Sequence, residues 1–290
     1  MTLRVACLGP EGTVSQEALE SASLSAGMAI EALLTPSIHA AVAAVRSDEA
    51  DFALVPLENS LEGGVAPTLD ELLASGGMTP IVGELLHPVR HRLIARNDMP
   101  LDQIEGLVSL PFVADQCSLF LQEHLPGISI TPASSTADAV RTIADSQLPL
   151  AALGTELAAR IYGCTVIAPT MNPGGNTTRF VWLAPSADGD PPPGVRSDGP
   201  QRTSIVFWGT GTNEPGWLVE CLAEFGSRSV NLTRIESRPR REGLGSYVFF
   251  ADVEGSADDS RVEDALHALS ARTEEVRMLG SYPMASVPKG

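Results

Sequence analysis

The sequence contains little cysteine, and its cysteines form no metal or disulfide pattern. Four of them are scattered over 290 residues without a CxxC pair: Cys7, Cys117, Cys164 and Cys221. This spacing argues against a disulfide framework and against a zinc site built from cysteine. Free cysteines of this kind are typical of a reducing compartment, so we expect a cytoplasmic protein.

Long apolar segments are also missing. No apolar run approaches the roughly 20 residues that a membrane-spanning helix requires, and the apolar start Leu3–Leu8 is too short for a secretion signal. It leads directly into Gly9-Pro10-Glu11-Gly12, which is typical of a strand entering a turn. We therefore predict no membrane partner.

Lysine is almost absent, because Lys289 is the only one and arginine supplies the remaining positive charge. Acidic residues outnumber basic ones, which gives a formal net charge of −17 and a pI of about 4.6. A protein this acidic repels nucleic acid and anionic membranes. An anionic ligand must therefore be attracted locally, by an arginine or by a helix N-terminus.

Signatures of common cofactor sites are missing as well. The sequence has no GxGxxG, and Gly209-Thr210-Gly211 is not followed by the Gly-Lys-Ser/Thr of a phosphate-binding loop. His87 and His91 are four residues apart but lack the HExxH pattern of a zinc enzyme. We predict no cofactor and no metal site.

One segment divides the chain. The nineteen residues of 184–202 include five prolines, three glycines, three aspartates and two serines, a composition that supports neither a helix nor a central strand. The sequence therefore predicts a linker over 184–202, between one domain at 1–183 and another at 203–290.

Upstream of this linker, short apolar runs alternate with helical patterns. Leu3–Leu8 and Phe52–Val55 are typical of buried strands, and between them Ser37 can cap a helix with apolar residues at helical spacing. Further strands are predicted at 150–153, 166–167 and 180–183, and further helices near 118–124, 138–145 and 155–162. This alternation predicts an α/β fold with a largely parallel sheet. Two lobes around a central cleft suit it best, with the second lobe over about 80–165.

Downstream of the linker the pattern predicts the order βαββαβ. Strands are expected at 203–208, 230–237, 246–253 and 276–282. One helix should begin at Pro215 and stop at Gly226, and the other should follow a capping box formed by Ser260 and Glu263. This pattern predicts a ferredoxin-like sandwich, a small fold for which pairing into a dimer is expected.

Four polar segments lie where strands end and helices begin. They are Gly9–Ser15, Val55–Gly64, Ser134–Val140 and Asn176–Phe180. Strand ends and helix N-termini bind anions and other ligands in α/β folds, and Arg179 can grip a carboxylate with two nitrogens. Taken alone, each segment is also compatible with an ordinary turn or helix cap.

Together and in this order, the four segments resemble the prephenate dehydratase family. They correspond to its GPEGTxS, VPxENSxEG, Ser-Thr-Ala and NxTRF motifs, with Gln116-Cys117 as its Gln-Cys helix start. Beyond the linker, Asn231–Pro239 is similar to the NLTxIESRP segment of the ACT regulatory domain in those enzymes, and Tyr247–Asp252 resembles its next strand. The resemblance covers nearly the whole chain.

Three positions depart from the family pattern. Val14 replaces the usual phenylalanine of GPEGTFS, and Leu110 stands where a histidine is often found upstream of the Gln-Cys pair. Trp217 replaces the alanine of a Gly-Ala-Leu segment in the ACT domain, which places a bulky indole beside the expected effector pocket.

The resemblance implies a periplasmic-binding-protein-like catalytic domain of two lobes with a central cleft, followed by a ferredoxin-like βαββαβ ACT domain. The implied activity is the decarboxylating dehydration of prephenate to phenylpyruvate in phenylalanine biosynthesis, a carbon–oxygen lyase reaction without a cofactor. Thr178 is the expected donor to the departing hydroxyl, and Glu58 is the second candidate acid. The expected substrate-binding residues are Thr13, Ser15, Asn59, Ser60, Ser135, Thr136, Thr177 and Arg179.

For the ACT domain, the resemblance implies feedback regulation by L-phenylalanine at a subunit interface, and with it a homodimer or homotetramer. The expected effector-binding residues are Gly216, Leu218, Asn231, Leu232, Glu236, Ser237, Arg238 and Pro239. Two alternatives stay open at this point. One is arogenate dehydratase, which acts on an amino analogue of prephenate, and the other is a non-catalytic small-molecule sensor with an ACT domain.

Overall fold

The computed structural model describes residues 2–74, 79–169, 171, 174–196, 198–209, 211, 214–240 and 245–285. Within these ranges the chain forms three sheets of six, five and four strands. The first two sheets, with their helices, form two lobes, and the third sheet belongs to a separate C-terminal domain.

The first lobe contains the six-stranded sheet, in the order β2-β1-β3-β11-β5 with β4 paired to β3. β1, β2 and β3 are parallel, and β11 is antiparallel to both β3 and β5. The elements are β1 Leu3–Leu8, α1 Val14–Ala26, β2 Ile30–Thr35, α2 Ile38–Arg46, β3 Phe52–Asn59, β4 Gly63–Gly64, α3 Ala66–Ala74, β5 Ile81–Pro88 and β11 Thr177–Leu183.

The second lobe contains the five-stranded sheet, in the order β10-β6-β9-β7-β8. Its elements are β6 Arg92–Ala95, a short 3-10 helix Leu101–Gln103, β7 Gly106–Ser109, α4 Pro111–Gln116, α5 Ser118–His124, β8 Ser129–Pro132, α6 Thr136–Asp145, β9 Leu150–Gly154, α7 Glu156–Ile161 and β10 Thr165–Ala168. The predicted start near residue 80 is corrected, because β5 is still part of the first sheet. The chain crosses to the second lobe only after Pro88.

Hydroxyl side chains begin four of the helices in these lobes. Thr13, Ser37, Ser135 and Thr155 each have extended backbone and accept a hydrogen bond from the N–H three residues further on. Such caps satisfy one of the N–H groups that a helix N-terminus leaves without an intrahelical acceptor. The helix predicted after Ser37 is confirmed.

The C-terminal domain follows the predicted order βαββαβ. Its elements are β12 Gln201–Trp208, α8 Trp217–Gly226, β13 Leu232–Pro239, β14 Tyr247–Glu254, α9 Ser260–Ser270 and β15 Glu275–Pro283. The sheet order is β13-β14-β12-β15, with every pair antiparallel. The ferredoxin-like sandwich predicted from the sequence is confirmed.

Helix starts in this domain differ from the prediction. α9 is capped by Asp259, whose carboxylate accepts a hydrogen bond from Arg261, and Ser260 is already its first helical residue. α8 begins at Trp217 because Gly216, in the left-handed region at φ 89°, precedes it. Pro215 therefore lies outside the helix.

The predicted linker has no helix or strand over the described parts of 184–200. β12 begins at Gln201, two residues inside the predicted segment. Leu69, Leu72 and Leu73 in the sequence predict a helix that ends at Gly76 and Gly77, and these two glycines lie outside the described residues.

The sheet of the C-terminal domain packs on both faces, although alternate side chains of β13 are exposed. One face packs against α8 and α9 around Phe207 and Phe249. Side chains of the other face, such as Phe250 and Tyr282, share a hydrophobic core with the first lobe. β15 approaches β5 closely at Gly280, where an added Cβ atom would lie 2.1 Å from the carbonyl oxygen of Ile81. The C-terminal domain is therefore packed directly onto the first lobe.

Two properties of the described ranges bear on the expected partners. None of their helices has the length and apolarity needed to cross a membrane. Over the same residues, no three His, Cys, Asp or Glu side chains come together in a metal-binding arrangement.

Candidate active site

A cavity of about 320 Å³ lies between the two lobes. Strand ends of the first lobe and helix N-termini of both lobes surround it, and all four polar segments contribute residues to its lining. The polar lining residues are Thr13, Ser15, Asn59, Glu62, His91, Gln116, Ser134, Ser135, Thr136, Asn176 and Thr178.

The N-terminus of α1 forms one wall of the cavity. The hydroxyl of Thr13 donates a hydrogen bond to the carbonyl of Leu8 at 2.7 Å and accepts one from the N–H of Gln16. Thr13 is thus committed to capping the helix. Ser15 is buried and lines the cavity beside the first-turn N–H groups.

The N-terminus of α6 faces the cavity from the second lobe. Ser135 caps this helix by accepting a hydrogen bond from the N–H of Asp138 at 2.9 Å. Ser134 donates its hydroxyl to the carboxylate of Asp138 at 2.7 Å, and Thr136 is buried against the cavity. The first turn of α6 therefore presents backbone N–H groups and a hydroxyl to the space between the lobes.

Asn59 and Thr178 meet at the ends of two paired strands. The side-chain oxygen of Asn59 accepts hydrogen bonds from the N–H groups of Leu61 and Glu62, at 2.9 and 3.1 Å. This fixes the orientation of the amide, so its NH₂ group donates to Thr178 Oγ1 at 3.0 Å and to Asn176 Oδ1 at 2.8 Å. With an acceptor position of Thr178 occupied, its own hydroxyl proton is directed elsewhere, and the cavity is adjacent.

A chain of amides extends this arrangement to the second lobe. Asn176 donates to Gln116 Oε1 at 3.0 Å, and Gln116 donates to Glu62 Oε1 at 2.7 Å. Gln116 lies on α4, whereas Asn176 and Glu62 belong to the first-lobe side, so the Gln116 side chain bridges the lobes across the cavity. The sequence signalled Gln116 and Asn176 only as members of family motifs, without a role.

His91 lines the cavity and was not among the predicted site residues. Its side chain is buried, and burial lowers the pKa of the imidazole to about 4, although a hydrogen bond with Gln116 and the charge of Glu17 act in the opposite direction. The ring is therefore neutral near pH 7. In the sequence, His91 is marked only by its position close to the point where the chain passes from the first lobe to the second.

The cavity contains little positive charge. Among the residues that the structure describes, no arginine or lysine lines it, and Glu62 contributes an acidic group. Because His91 is neutral, an anion in this cavity depends on helix N-termini and hydroxyl groups for its binding.

Glu58 and Arg179, two of the predicted site residues, do not line the cavity. Their side chains form an ion pair with a distance of 2.8 Å on the opposite face of the sheet. Arg179 follows the regular alternation of β11, which places it on the face opposite Thr178. Glu58 is turned away by a β-bulge, since Arg179 pairs with Glu58 and the next residue, Phe180, pairs with Pro56. The extra residue, Leu57, reverses the alternation of β3, so Asn59 faces the cavity and Glu58 does not.

Ser60 and Thr177, which were also predicted to bind substrate, do not line the cavity. The Ser60 hydroxyl donates to the carbonyl of Gly175 at 2.8 Å and accepts a hydrogen bond from the N–H of Thr177 at 3.0 Å. Ser60 therefore ties the start of β11 to the end of β3. Its contribution is to hold the strand ends together.

Further contacts join the lobes beside α1. Thr155 donates to the carbonyl of Gly12 at 2.7 Å, and the Tyr162 hydroxyl donates to the carbonyl of Glu11 at 3.0 Å. Gly12 passes so close to α7 that an added Cβ atom would lie 2.8 Å from Ala158. The lobes are thus in direct contact around the cavity.

Comparison with known proteins agrees with this geometry. A family model described as prephenate dehydratase matches residues 5–188, and one described as ACT domain matches residues 210–271. The prephenate dehydratase of Mycobacterium marinum (strain ATCC BAA-535 / M) is 40% identical over 294 residues, covering 99% of this chain and 90% of the relative. The chain belongs to the prephenate dehydratase family.

Two solved structures are similar over nearly the full length. The prephenate dehydratase of Arthrobacter aurescens, in complex with L-Phe, is 36% identical with a TM-score of 0.84, and the match covers 97% of this chain and 90% of that one. A protein described as GqqA, a novel type of quorum quenching acylases, is 26% identical with a TM-score of 0.80, over 97% of this chain and 98% of that one.

The residues that the prephenate dehydratase family resemblance assigned to the effector site lie on two sides of the ACT sheet. Arg238 faces the first lobe, where it lies 3.0 Å from the carboxylate of Asp70, and Glu236 pairs with Arg234 on the same face. Ser237 lies on the other face and is exposed. The remaining predicted positions are exposed or half-buried: Gly216, Leu218, Asn231, Leu232 and Pro239.

Trp217, the departure from the family pattern, is part of the ACT core. Its indole is 9% exposed, packs near Phe207 and Phe249, and donates a hydrogen bond to the carbonyl of Arg272 at 3.0 Å. An added Cβ atom at Gly211 would lie 2.2 Å from the indole. Gly209 and Gly211 therefore leave room for this ring.

Proposed function

We propose that this chain converts prephenate to phenylpyruvate in the cavity between its lobes, with Thr178 as the hydrogen-bond donor to the departing hydroxyl. In this reaction the ring carboxylate leaves as carbon dioxide. The electrons of its carbon–carbon bond enter the ring, and the ring hydroxyl leaves as water after taking up one proton. The observation that carries the proposal is the hydrogen bond from Asn59 to Thr178 within the cavity of a prephenate dehydratase family member.

The two carboxylates of prephenate suit the helix N-termini at the cavity. α1 and α6 both begin there, and their first-turn N–H groups have no intrahelical acceptor. Backbone donors and the helix dipole stabilise an anion without a cationic side chain. We infer that Ser15 and Thr136 add hydroxyl donors to these sites.

Thr178 acts in this proposal as a fixed donor. A threonine hydroxyl is a weak acid, so its contribution comes from preorganised hydrogen bonding to the oxygen on which negative charge develops. Asn59 supports this role by occupying an acceptor position of the hydroxyl, which leaves the proton available for the substrate. His91 is neutral and buried, so it adds an uncharged polar group to the cavity lining.

Regulation by L-phenylalanine at the ACT domain is part of the proposal. The Arthrobacter aurescens relative was solved in complex with L-Phe. In this chain Ile235 and Val219 are exposed apolar side chains on β13 and α8, the elements that carry the predicted effector residues. We infer that a second copy covers this surface, with phenylalanine bound at the interface of a homodimer or homotetramer in the cytoplasm.

Turnover of prephenate, followed by the absorbance of phenylpyruvate in base, tests the proposal directly. Thr178→Ala should lower kcat by about 10²–10⁴-fold, while calorimetry should still detect prephenate binding. Thr177→Ala is the matched control, because this neighbouring threonine does not line the cavity. Full activity of Thr178→Ala would remove Thr178 from the mechanism.

The same preparations separate the alternatives. A non-catalytic sensor would bind prephenate and release no phenylpyruvate. An arogenate dehydratase would show a higher kcat/KM for arogenate than for prephenate in parallel assays. If the protein cleaved an acylated quorum-sensing signal and did not turn over prephenate, its activity would match that of the relative described as an acylase.

A further inference from the structure

Arg179 lies directly behind the cavity, one residue from Thr178 on β11. It is 4% exposed and contacts carboxylates from three different strands. Its Nε lies 2.8 Å from Glu58 on β3, Nη1 lies 3.2 Å from Glu84 on β5, and Nη2 lies 2.5 Å from Asp252 on β14. One guanidinium therefore joins both strands that carry Asn59 and Thr178 to the ACT sheet.

Asp252 is held in place within the ACT domain. Ser204 on β12 donates to its second oxygen at 2.6 Å, and the Ser204 hydroxyl lies 2.7 Å from that of Tyr282. Burial alone raises the pKa of Asp252, but the charge of Arg179 and the hydrogen bond from Ser204 outweigh it and keep the pKa below its usual value. The carboxylate is therefore ionised and fixed.

Glu58 connects Arg179 to a second arginine of the ACT domain. Arg234 on β13 places its Nε 3.0 Å from Glu58 Oε2, and it also pairs with Glu236. β13 is the strand that carries most of the expected effector residues. A displacement of β13 thus acts on Glu58, whose neighbour in the chain is Asn59.

We propose that Arg179 is a positioning residue, and that the Glu58–Arg179–Asp252 triad couples the ACT sheet to the alignment of Asn59 with Thr178. This inference rests on the proposed function. The bulge at Leu57 makes the coupling direct, because it places Asn59 in the cavity and Glu58 in the triad on consecutive residues of one strand. An effector regulates through the triad when it binds one arrangement of the sheet more tightly than the other.

Asp252→Asn in the full-length enzyme tests the triad. The substitution keeps the shape of the side chain and a hydrogen-bond partner for Ser204, but removes the negative charge that faces Arg179. We expect kcat to fall about tenfold with little change in KM, consistent with loss of a transition-state contact. We also expect the inhibition or activation by phenylalanine to disappear, while calorimetry still shows phenylalanine binding.

Two further variants make the result specific. Asp70→Asn removes an ion pair between β13 and α3, neither of which carries Asn59 or Thr178, and it should leave kcat unchanged. Ser204→Ala removes the hydrogen bond that holds Asp252, but the ion pair between Asp252 and Arg179 remains. We expect this variant to lose part of the phenylalanine response. It therefore tests the triad even if Asp252→Asn does not fold.

The outcomes distinguish this inference from the proposed function. A wild-type enzyme without prephenate turnover overturns both. Wild-type turnover with unchanged kcat and phenylalanine response in folded Asp252→Asn, or in Ser204→Ala, overturns the triad alone. Loss of phenylalanine binding with normal kcat also overturns it, because Asp252 would then belong to the effector site.

Discussion

Asn59 and Thr178 face each other across the β3–β11 ladder, with the amide nitrogen of Asn59 3.0 Å from the hydroxyl oxygen of Thr178. The direction of this hydrogen bond follows from two backbone N–H groups that hold the amide oxygen of Asn59 on its other side. Asn59 is therefore a donor to Thr178, which leaves the hydroxyl proton of Thr178 for the substrate in the proposed reaction.

Asn59→Asp reverses this relationship. The carboxylate has nearly the same shape, but it accepts a hydrogen bond from the Thr178 hydroxyl, whose proton then points away from the cavity. We expect kcat for prephenate to fall by about 10²-fold or more, with a smaller change in KM. Steady-state kinetics measure both values, and Asn97→Asp on an exposed loop is the control. Wild-type kcat in Asn59→Asp would contradict the proposed direction of donation.

His91 should make stability depend on pH. Burial lowers the pKa of His91 from 6.5 to about 4 in the folded protein. Between these values the unfolded chain binds a proton that the folded chain does not, so the free energy of unfolding falls as the pH drops from about 6.5 to 4. The group contributes no pH dependence above that range. The expected loss is up to roughly 3 kcal/mol.

Urea unfolding at several pH values checks this expectation. His91→Gln should flatten the dependence between pH 4 and 6.5, because glutamine does not titrate. The exposed His267 provides the matched variant, and His267→Gln should keep the wild-type slope. If the free energy of unfolding changed equally with pH in wild type and His91→Gln, the imidazole of His91 would have the same pKa in the folded and the unfolded chain.

Local signals in the sequence were sufficient for much of the fold. The helix predicted after Ser37 is present because a serine cap and helical apolar spacing act within a few residues. Thr13, Ser15, Ser135 and Thr136 reach the cavity for a similar reason, since they lie at helix starts that follow strands. Such features depend on nearby residues, which the sequence displays directly.

The site features that the sequence did not reveal depend on contacts between residues far apart in the chain. Glu58 and Arg179 were expected in the cleft, but the bulge at Leu57 depends on pairing between β3 and β11, more than 100 residues apart. The alternation of β11 is a local signal that Thr178 and Arg179 face opposite sides, but no local pattern links Arg179 to its carboxylate partners on β5 and β14. His91 was missed because its burial depends on both lobes.

Gly280→Ala should weaken the docking of the ACT domain on the first lobe. A Cβ atom at this position would lie 2.1 Å from the carbonyl oxygen of Ile81, so β15 must move away from β5. We expect a loss of roughly 1–3 kcal/mol and a fall in Tm of several degrees. Gly189→Ala in the linker is the control, because nothing lies within 4 Å of its added Cβ. Calorimetric scans in which both variants keep the wild-type Tm would mean that β15 is not packed this closely.

Trp217→Ala should destabilise the ACT domain without opening the effector site. The indole fills the core between Phe207, Phe249 and the segment at Gly211, so its removal leaves a cavity and costs about 3–5 kcal/mol. Trp217→Phe keeps part of the volume but loses the hydrogen bond to Arg272, and its loss should be smaller. Thermal unfolding measures stability, and calorimetric titration with phenylalanine measures affinity. Because the ring points into the core, neither variant should bind phenylalanine more tightly than the wild type. Tighter binding by Trp217→Ala at an unchanged Tm would instead place the indole against the effector.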